Sequence, residues 1–154
     1  MTSAGKIQYL AKAVSPKEIR YDASLKPLRP AYCTSIGLVI LAHMPERERA
    51  RRLKAELLVQ VTPQTITDPE KIAALLKHAQ KNGFVEVKDA NVEGASGVAA
   101  PIFGPSGEVI AALNLGAPTW RYERARESLI RIVCREAAFI TESLGAAVRG
   151  ESTA

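Results

Sequence analysis

Two short segments near the start of the chain alternate between apolar and polar residues. Apolar side chains occupy every second position from Lys6 to Ala13, and Glu18 to Asp22 repeats the alternation. A period of two is typical of a half-buried strand, whose successive side chains point to opposite faces. The intervening Ser15-Pro16-Lys17 has the composition of a turn. The pattern therefore predicts a β-hairpin at the start of the chain.

Four later segments have features of helices. The third begins with the capping-box pattern Thr67-Asp68-Pro69-Glu70, in which the hydroxyl of Thr67 and the carboxylate of Glu70 each accept a backbone N–H. It stops at Asn82-Gly83, because glycine tolerates positive φ. The four predicted helices cover about 31–44, 45–57, 67–83 and 121–148.

Three further strands are predicted between the last two helices. Phe84 to Lys88 forms the first, and two more lie within Glu93 to Pro118, around the turn Gly104-Pro105-Ser106-Gly107. So short a connection joins antiparallel strands. Two strands, three helices, three strands and one long C-terminal helix predict an α+β fold, an antiparallel sheet covered by helices.

Composition limits the class of protein. The 154 residues have the length of one domain, and 47% apolar and 24% charged residues are ordinary globular values. The longest apolar run, Ile36 to Ala42, is too short to cross a bilayer, and no secretory signal precedes it. We expect a soluble, cytoplasmic protein with no membrane partner.

The net charge of +5 is compatible with a nucleic-acid partner. The basic cluster at 47–54, however, is interleaved with glutamates and contains no aromatic residue that could stack on a base. A solvated, salt-bridged helix face is therefore expected there.

Patterns for catalysis and metal binding are absent from the sequence. Cys33 and Cys134 have no metal-ligand spacing, and His43 and His78 have no carboxylate and nucleophile at a motif spacing. The glycines do not form a phosphate-binding loop. We expect no catalytic residues, no metal and no cofactor.

Two segments carry candidate binding chemistry. In "RPAYCTSIG", Arg29 to Gly37, hydroxyl groups lie at the start of an apolar helix, where the helix dipole favours an anion. They could instead only cap the helix. In the second, backbone N–H groups around Ser96 and Gly97 could receive a carboxylate while Asn114 contributes its amide. A tight turn and a cross-strand hydrogen bond would explain the same residues.

Four segments together resemble the effector-binding domain of the IclR family of bacterial transcription regulators. They are "RPAYCTSIGLVILA", "TPQTITDPEKIAALLKHAQKNGFVEV", "GVAAPIFGPSGEVIAALNLGAP" and the terminal "ITESLG". The resemblance extends from about Gly5 to Leu144, with the segments in the family's order. "RPAYCTS" and "AALN" most resemble the branch that controls aromatic-acid breakdown through protocatechuate and β-ketoadipate.

The resemblance implies a GAF-like fold, in which a curved antiparallel sheet holds a small acidic metabolite under loops and helix ends. It also implies a site at the start of the helix, in the loop before "AAP" and in the "AALN" strand. The matching effector-binding residues are Thr34, Ser35, Ile36, Gly37, Glu93, Ser96, Gly97, Val98, Asn114 and Gly116.

The chain departs from many relatives at this implied site. Relatives often have serine where Asn114 and Gly116 stand, and cysteine or serine where Gly97 stands. Glycines widen the implied pocket, which suits a ring-bearing acid better than glyoxylate or pyruvate. Leu38 replaces the family's usual lysine or arginine, so Arg20 or the helix N-terminus is expected to balance the carboxylate.

Family members begin with a winged helix-turn-helix domain, and nothing before Lys6 could supply one. The resemblance therefore implies that 1–154 is a single effector-binding domain, structured over about 5–148, whose contact with DNA requires the absent N-terminal domain. Relatives form dimers and tetramers partly through this domain, so a homodimer or homotetramer is expected.

Two alternatives use the same fold. A thiol-dependent reductase of a small molecule would need Cys33 and Cys134 to converge on the cavity with a depressed pKa. A dimerisation module with a vestigial pocket would self-associate without responding to any ligand.

Overall fold

The structure, a computed structural model, describes residues 6–22 and 28–145. Their elements in chain order are α1 Ser35–His43, α2 Glu46–Ala55, α3 Pro69–Asn82, β1 Val85–Lys88, β2 Ala95–Phe103, β3 Val109–Pro118 and α4 Thr119–Ser143. The strands form an antiparallel sheet in the order β1-β2-β3. The predicted α+β class, the antiparallel hairpin and the long last helix are confirmed.

Helices cover both faces of the sheet, and β2 lies at its centre. Alternate side chains of β2 point to opposite faces: Ala99 packs in one core with α1 and α3, whereas Val98 and Ala100 pack in a second core with α4. The sheet thus separates two apolar layers. We refer to its two faces as the α1 side and the α4 side.

The start of α1 is fixed by a cap and by a close backbone approach. Thr34 is the N-cap, and its Oγ1 accepts the N–H of Gly37 at 3.1 Å. A Cβ on Gly37 would lie only 2.2 Å from the carbonyl oxygen of Ala31. Glycine at this position therefore lets the preceding segment pass directly against the first turn.

The loop between β1 and β2 is held by Asp89, a non-glycine residue with a φ of 54°. Its carboxylate accepts hydrogen bonds from Gly94 N at 2.9 Å and from Thr119 Oγ1 at 2.6 Å. Gly94 itself has a φ of 76°, a conformation in which glycine carries no Cβ penalty. The loop between β1 and β2 is thus tied to the start of α4, and β2 begins directly after Gly94.

The predicted N-terminal hairpin is wrong. Within the described residues, Ile7 forms one isolated bridge with Arg29, and residues 8–22 form no strand. Alternation predicts a strand only if one face is buried, yet Ala11, Ala13 and Ile19 on the predicted inward faces are exposed. We call residues 8–22 the strap, because they cross the α1 side without joining the sheet.

The cap of α3 also differs from the prediction. The N-cap is Asp68, whose carboxylate accepts from the N–H groups of Glu70 and Lys71, so the box is not built on Thr67. The predicted stop is confirmed, since Gly83 adopts a φ of 73°. Both residue types can cap a helix, and the local pattern does not choose between adjacent candidates.

The remaining helices differ from the prediction at their ends. α1 begins at Ser35 rather than near Ala31, and α4 ends at Ser143, where Gly145 has a φ of 78°. The predicted continuation to Val148 and the expected structured start at Gly5 lie outside the described residues.

Charges on α2 are arranged as the sequence predicts. The helix contains no buried residue, and Arg52 pairs with Glu48 one turn earlier at 2.6 Å. Arg49 donates to the carbonyl oxygen of Ala42.

No helix of the described chain combines the length and apolar character needed to cross a membrane.

Candidate functional site

A cavity opens on the α1 side between the start of α1, the sheet and the strap. The empty space that it outlines, open solvent included, is about 400 Å³. Its walls are formed by Tyr9, Tyr21, Cys33, Thr34, Ser35, Val87, Asn91, Val92, Ala95, Ser96, Gly97, Asn114 and Gly116. The two segments that the sequence singled out therefore face one cavity.

A hydrogen bond between Ser35 and Asn114 links helix and sheet at this cavity. Asn114 Nδ2 donates to Ser35 Oγ at 2.8 Å and to the carbonyl oxygen of Val98 at 2.9 Å. Both amide protons are thus used within the protein. Among the described residues, no donor reaches the side-chain oxygen of Asn114, and no acceptor takes the hydroxyl proton of Ser35. These two groups keep hydrogen-bonding capacity for a ligand.

Some polar groups at the start of α1 cap the helix, and others remain available to a ligand. Thr34 Oγ1 donates to the carbonyl oxygen of Pro30 at 3.1 Å while it accepts from Gly37, so its hydroxyl is spent on capping. In the described part of the chain, the N–H groups of Ser35 and Ile36 meet no acceptor, as is usual in a first turn. These N–H groups and the positive end of the helix dipole favour an anion.

Two glycines make room at the sheet wall. Gly97 on β2 is paired with Gly116 on β3, and Ala99 is paired with Asn114 two residues along. Because paired residues project to the same face, Gly97, Asn114 and Gly116 all lie on the α1 side. A Cβ on Gly116 would lie 2.9 Å from the Tyr21 ring, so the missing side chain makes space for that ring.

The strap supplies both tyrosines of the cavity. An ion pair within the strap joins Lys12 to Asp22 at 2.5 Å, and Arg121 of α4 ties the strap to that helix by donating to the carbonyl oxygen of Ile19 at 2.6 Å. Burial raises the pKa of Tyr9, so its phenol is neutral at physiological pH. The strap therefore presents two aromatic side chains to the cavity.

Several predicted site residues lie in the same region without lining the cavity. Ile36 and Gly37 are buried in and against the core, Val98 packs on the α4 side, and the side chain of Glu93 is exposed. Ser96 borders the cavity, but its hydroxyl shares a 2.8 Å hydrogen bond with Thr119.

The backbone N–H groups of Ser96 and Gly97 point along the sheet. Gly97 is paired with Val87 on one side and Gly116 on the other, and Ser96 is likewise held between two strands. In such a ladder, N–H groups are directed at the neighbouring strands. The donors nearest an anion in the cavity are therefore those of α1.

Sequence reasoning missed several residues of the cavity. Tyr9 and Tyr21 were expected to face inward from strands, but nothing in the local pattern connected them to Asn114. Asn91, Val92 and Ala95 lie within a few positions of Ser96 and Gly97, and that nearness was the available signal. Val87 enters from β1.

The two thiols lie on opposite sides of the sheet. Cys33 belongs to the core on the α1 side, and Cys134 packs on the α4 side. Burial, assisted by the nearby Glu56 carboxylate, raises the pKa of Cys33 to about 11, and burial also raises the pKa of Cys134. A reductase needs converging thiols of low pKa, so this arrangement gives that alternative no support.

The described residues contain no cluster of side chains that could hold a metal ion. No group of three or more histidine, cysteine, aspartate or glutamate side chains lies close enough there to hold an ion. The polar groups of the cavity are amide, hydroxyl and backbone N–H groups, which suit an organic acid.

Comparison with known proteins gives one consistent family. The family described as bacterial transcriptional regulator IclR C-terminal matches residues 1–141. The Pca regulon regulatory protein of Pseudomonas putida is 32% identical over 120 residues, which are 77% of this chain and 41% of that protein. The chain thus spans less than half the length of this curated relative.

Solved structures agree with the sequence comparison. The IclR structure from Thermotoga maritima has a TM-score of 0.86 and 27% identity, covering 94% of this chain and 59% of that chain. An IclR homologue from Microbacterium hydrocarbonoxydans, crystallised with 4-hydroxybenzoate, has a TM-score of 0.81 and 30% identity. The match covers 95% of this chain and 59% of that chain.

Proposed function

This chain belongs to the C-terminal domain family of the bacterial IclR transcriptional regulators, and from that premise we propose that it is an effector sensor for a small aromatic carboxylate. The observation that carries the proposal is the cavity on the α1 side. There, Ser35 and Asn114 hold each other in place and keep an unused hydroxyl proton and an unused amide oxygen.

The chemistry of the cavity suits a ring-bearing acid. Tyr9 and Tyr21, which both line the cavity, offer aromatic side chains against which a flat ring can pack. The Ser35 hydroxyl and the free N–H groups of the first turn of α1 are donors for a carboxylate. The Asn114 oxygen can accept from a ring hydroxyl. Support for the ligand class comes from the Microbacterium homologue crystallised with 4-hydroxybenzoate.

Calorimetric titration of the purified chain tests the proposal. We expect 4-hydroxybenzoate or protocatechuate to bind more tightly than the open-chain acids β-ketoadipate and pyruvate, because only the former carry a ring that can pack against Tyr9 and Tyr21. If none of the four acids produces a binding heat, the proposed function is contradicted. Tighter binding of pyruvate than of either ring acid would contradict the aromatic class.

Asn114→Ala tests the cavity itself. The variant should weaken binding of the preferred acid about 2- to 10-fold, the range for one lost hydrogen bond. Asn82→Ala is the matched control, because Asn82 is an exposed asparagine at the end of α3 and does not line the cavity. Unchanged affinity together with a lowered melting temperature would show that Asn114 serves only to join α1 to the sheet.

The biological output requires more than binding. In this proposal the domain acts in the bacterial cytoplasm as a homodimer or homotetramer, and the effector favours one arrangement of subunits. A helix-turn-helix domain of the whole regulator then changes its occupancy of DNA. The effector can shift that equilibrium only by the difference between its affinities for the two arrangements.

A further inference from the structure

An effector carboxylate needs a countercharge, and two residues considered from the sequence do not supply one. Leu38 is apolar and 2% exposed in the core. Arg20 is exposed on the strap and donates to the carbonyl oxygen of Lys17. The helix start contributes only partial charge. A full positive charge must come from another residue.

Arg29 enters the α1 side of the molecule. It is bridged to Ile7 by two backbone hydrogen bonds, Ile7 N to Arg29 O at 2.8 Å and Arg29 N to Ile7 O at 3.2 Å. Side chains of such a directly opposed pair project to the same side. Ile7 is 1% exposed and packs in the core with Cys33, a cavity residue. The side chain of Arg29 is therefore directed towards the same layer.

The guanidinium group of Arg29 is incompletely satisfied. Its Nε is buried and has no hydrogen-bond partner, and no carboxylate of the described residues forms an ion pair with it. Buried polar groups are almost always hydrogen-bonded in folded proteins. A guanidinium group commonly binds a carboxylate through two parallel N–H···O hydrogen bonds. An unpaired Nε at this position indicates a missing acceptor.

Arg29 is not itself among the residues that line the cavity, but its charge acts on two that are, Tyr9 and Cys33. Burial raises the pKa of Tyr9 and of Cys33, and in both cases the positive charge of Arg29 opposes that rise. The acidic group that also acts on Cys33 is Glu56, which is already paired with Lys6 at 2.6 Å. The charge of Arg29 therefore has no paired carboxylate among the described residues on this side of the cavity.

We propose that Arg29 is the countercharge of the effector, and that its guanidinium pairs with the effector carboxylate where the strap meets the start of α1. The proposal rests on the function proposed above and adds the residue that selects for an anion. It also predicts that an uncharged ligand of the same shape binds this site more weakly.

The test compares 4-hydroxybenzoate with its uncharged analogue 4-hydroxybenzamide in calorimetric titrations. The unmodified chain should prefer the acid by about 10- to 100-fold, the range for a hydrogen-bonded charge pair. Arg29→Met keeps an apolar side chain without the charge, so the acid and the amide should bind with nearly equal affinity. Arg29→Lys keeps the charge without the planar fork and should keep part of the preference.

The control variant is Arg20→Gln, which removes an exposed charge from the strap and should leave the preference unchanged. Because acid and amide are compared within each variant, a general loss of stability does not imitate the expected result. Should Arg29→Met prefer the acid as strongly as the unmodified chain does, the proposal for Arg29 is overturned while the proposed function stands. Failure of the unmodified chain to bind either compound or the other acids of the panel overturns the proposed function itself.

Discussion

Gly37 shows how a single residue positions the candidate site. A Cβ there would meet the Ala31 backbone at 2.2 Å, which side-chain rotation cannot relieve. We predict that Gly37→Ala lowers the free energy of unfolding by about 1 to 3 kcal/mol or more, as overpacking does. Urea denaturation followed by circular dichroism measures the change.

The matched control is Gly104→Ala, whose added Cβ would meet the side chain of Glu108 at 2.5 Å. That side chain is exposed and can move, so the control should cost less. Equal losses in the two variants would show that the approach of Ala31 does not set the packing of α1.

The buried thiol of Cys33 gives a pH dependence. Its pKa is raised from the ordinary 9.0 to about 11, mainly by burial and then by the Glu56 carboxylate. Because the fold favours the neutral thiol, Cys33 contributes stability that is complete below pH 9 and is lost as pH rises through about 11. Cys33→Ala should therefore lose less stability across that interval than the unmodified chain does.

Urea unfolding at several pH values, with the two proteins compared at each, isolates the contribution of Cys33 from that of the tyrosines and lysines. Parallel pH profiles would contradict the prediction. Rapid reaction of Cys33 with a thiol reagent at neutral pH would do so as well, since the thiolate is the reactive form.

At the scale of elements, the cap of α3 separates sequence expectation from structure. The carboxylate of Asp68 accepts two backbone N–H groups, whereas the capping-box interpretation gave that role to Thr67. We predict that Asp68→Ala lowers the free energy of unfolding by about 0.5 to 2 kcal/mol, the range for a lost N-cap. Thr67→Ala should change it little. If urea denaturation shows that Thr67→Ala lowers the free energy of unfolding more than Asp68→Ala does, the helix is capped by Thr67 and this prediction is wrong.

The strap shows why an alternating pattern misled the prediction for the first element. Alternation reports which side chains could share a face, but a strand forms only when its backbone finds a partner. In the described residues, Ile7 finds Arg29, while Tyr9 and Tyr21 turn towards the cavity without a ladder. The pairing of 8–22 depended on distant parts of the chain.

At the scale of the whole molecule, α4 presents an apolar face to solvent. Ile132 and Phe139 are 41% and 64% exposed, and seven residues of helix place them on the same side. Exposed apolar side chains in line are typical of an association surface. We predict that the purified domain self-associates through this face and that Phe139→Asp shifts it towards monomer in sedimentation velocity runs.

Gln64→Glu is the control for Phe139→Asp, because it adds one negative charge to an exposed position in the loop before α3. It should leave the sedimentation profile unchanged. If Phe139→Asp sediments like the unmodified chain, α4 does not carry the contact. A monomeric unmodified chain would remove the basis for subunit rearrangement in the proposed function.

The sequence by itself determined the elements whose signals are local. The hairpin of β2 and β3, the stop of α3 at Gly83 and the long α4 follow from turn residues and from apolar spacing within a few turns of chain. The segments that resemble the IclR family also gave Ser35 and Asn114 as site residues, and the structure brings these two to one cavity.

Only the tertiary structure decided how those residues are used. Asn114 and Ser35 are 79 positions apart, and their hydrogen bond exists because α1 packs on the sheet at one angle and register. The same packing brings the strap tyrosines to the cavity, turns Val98 away from it and leaves Nε of Arg29 without a partner among the described residues. Local patterns report what a segment can form, whereas contacts across the chain depend on which buried faces meet.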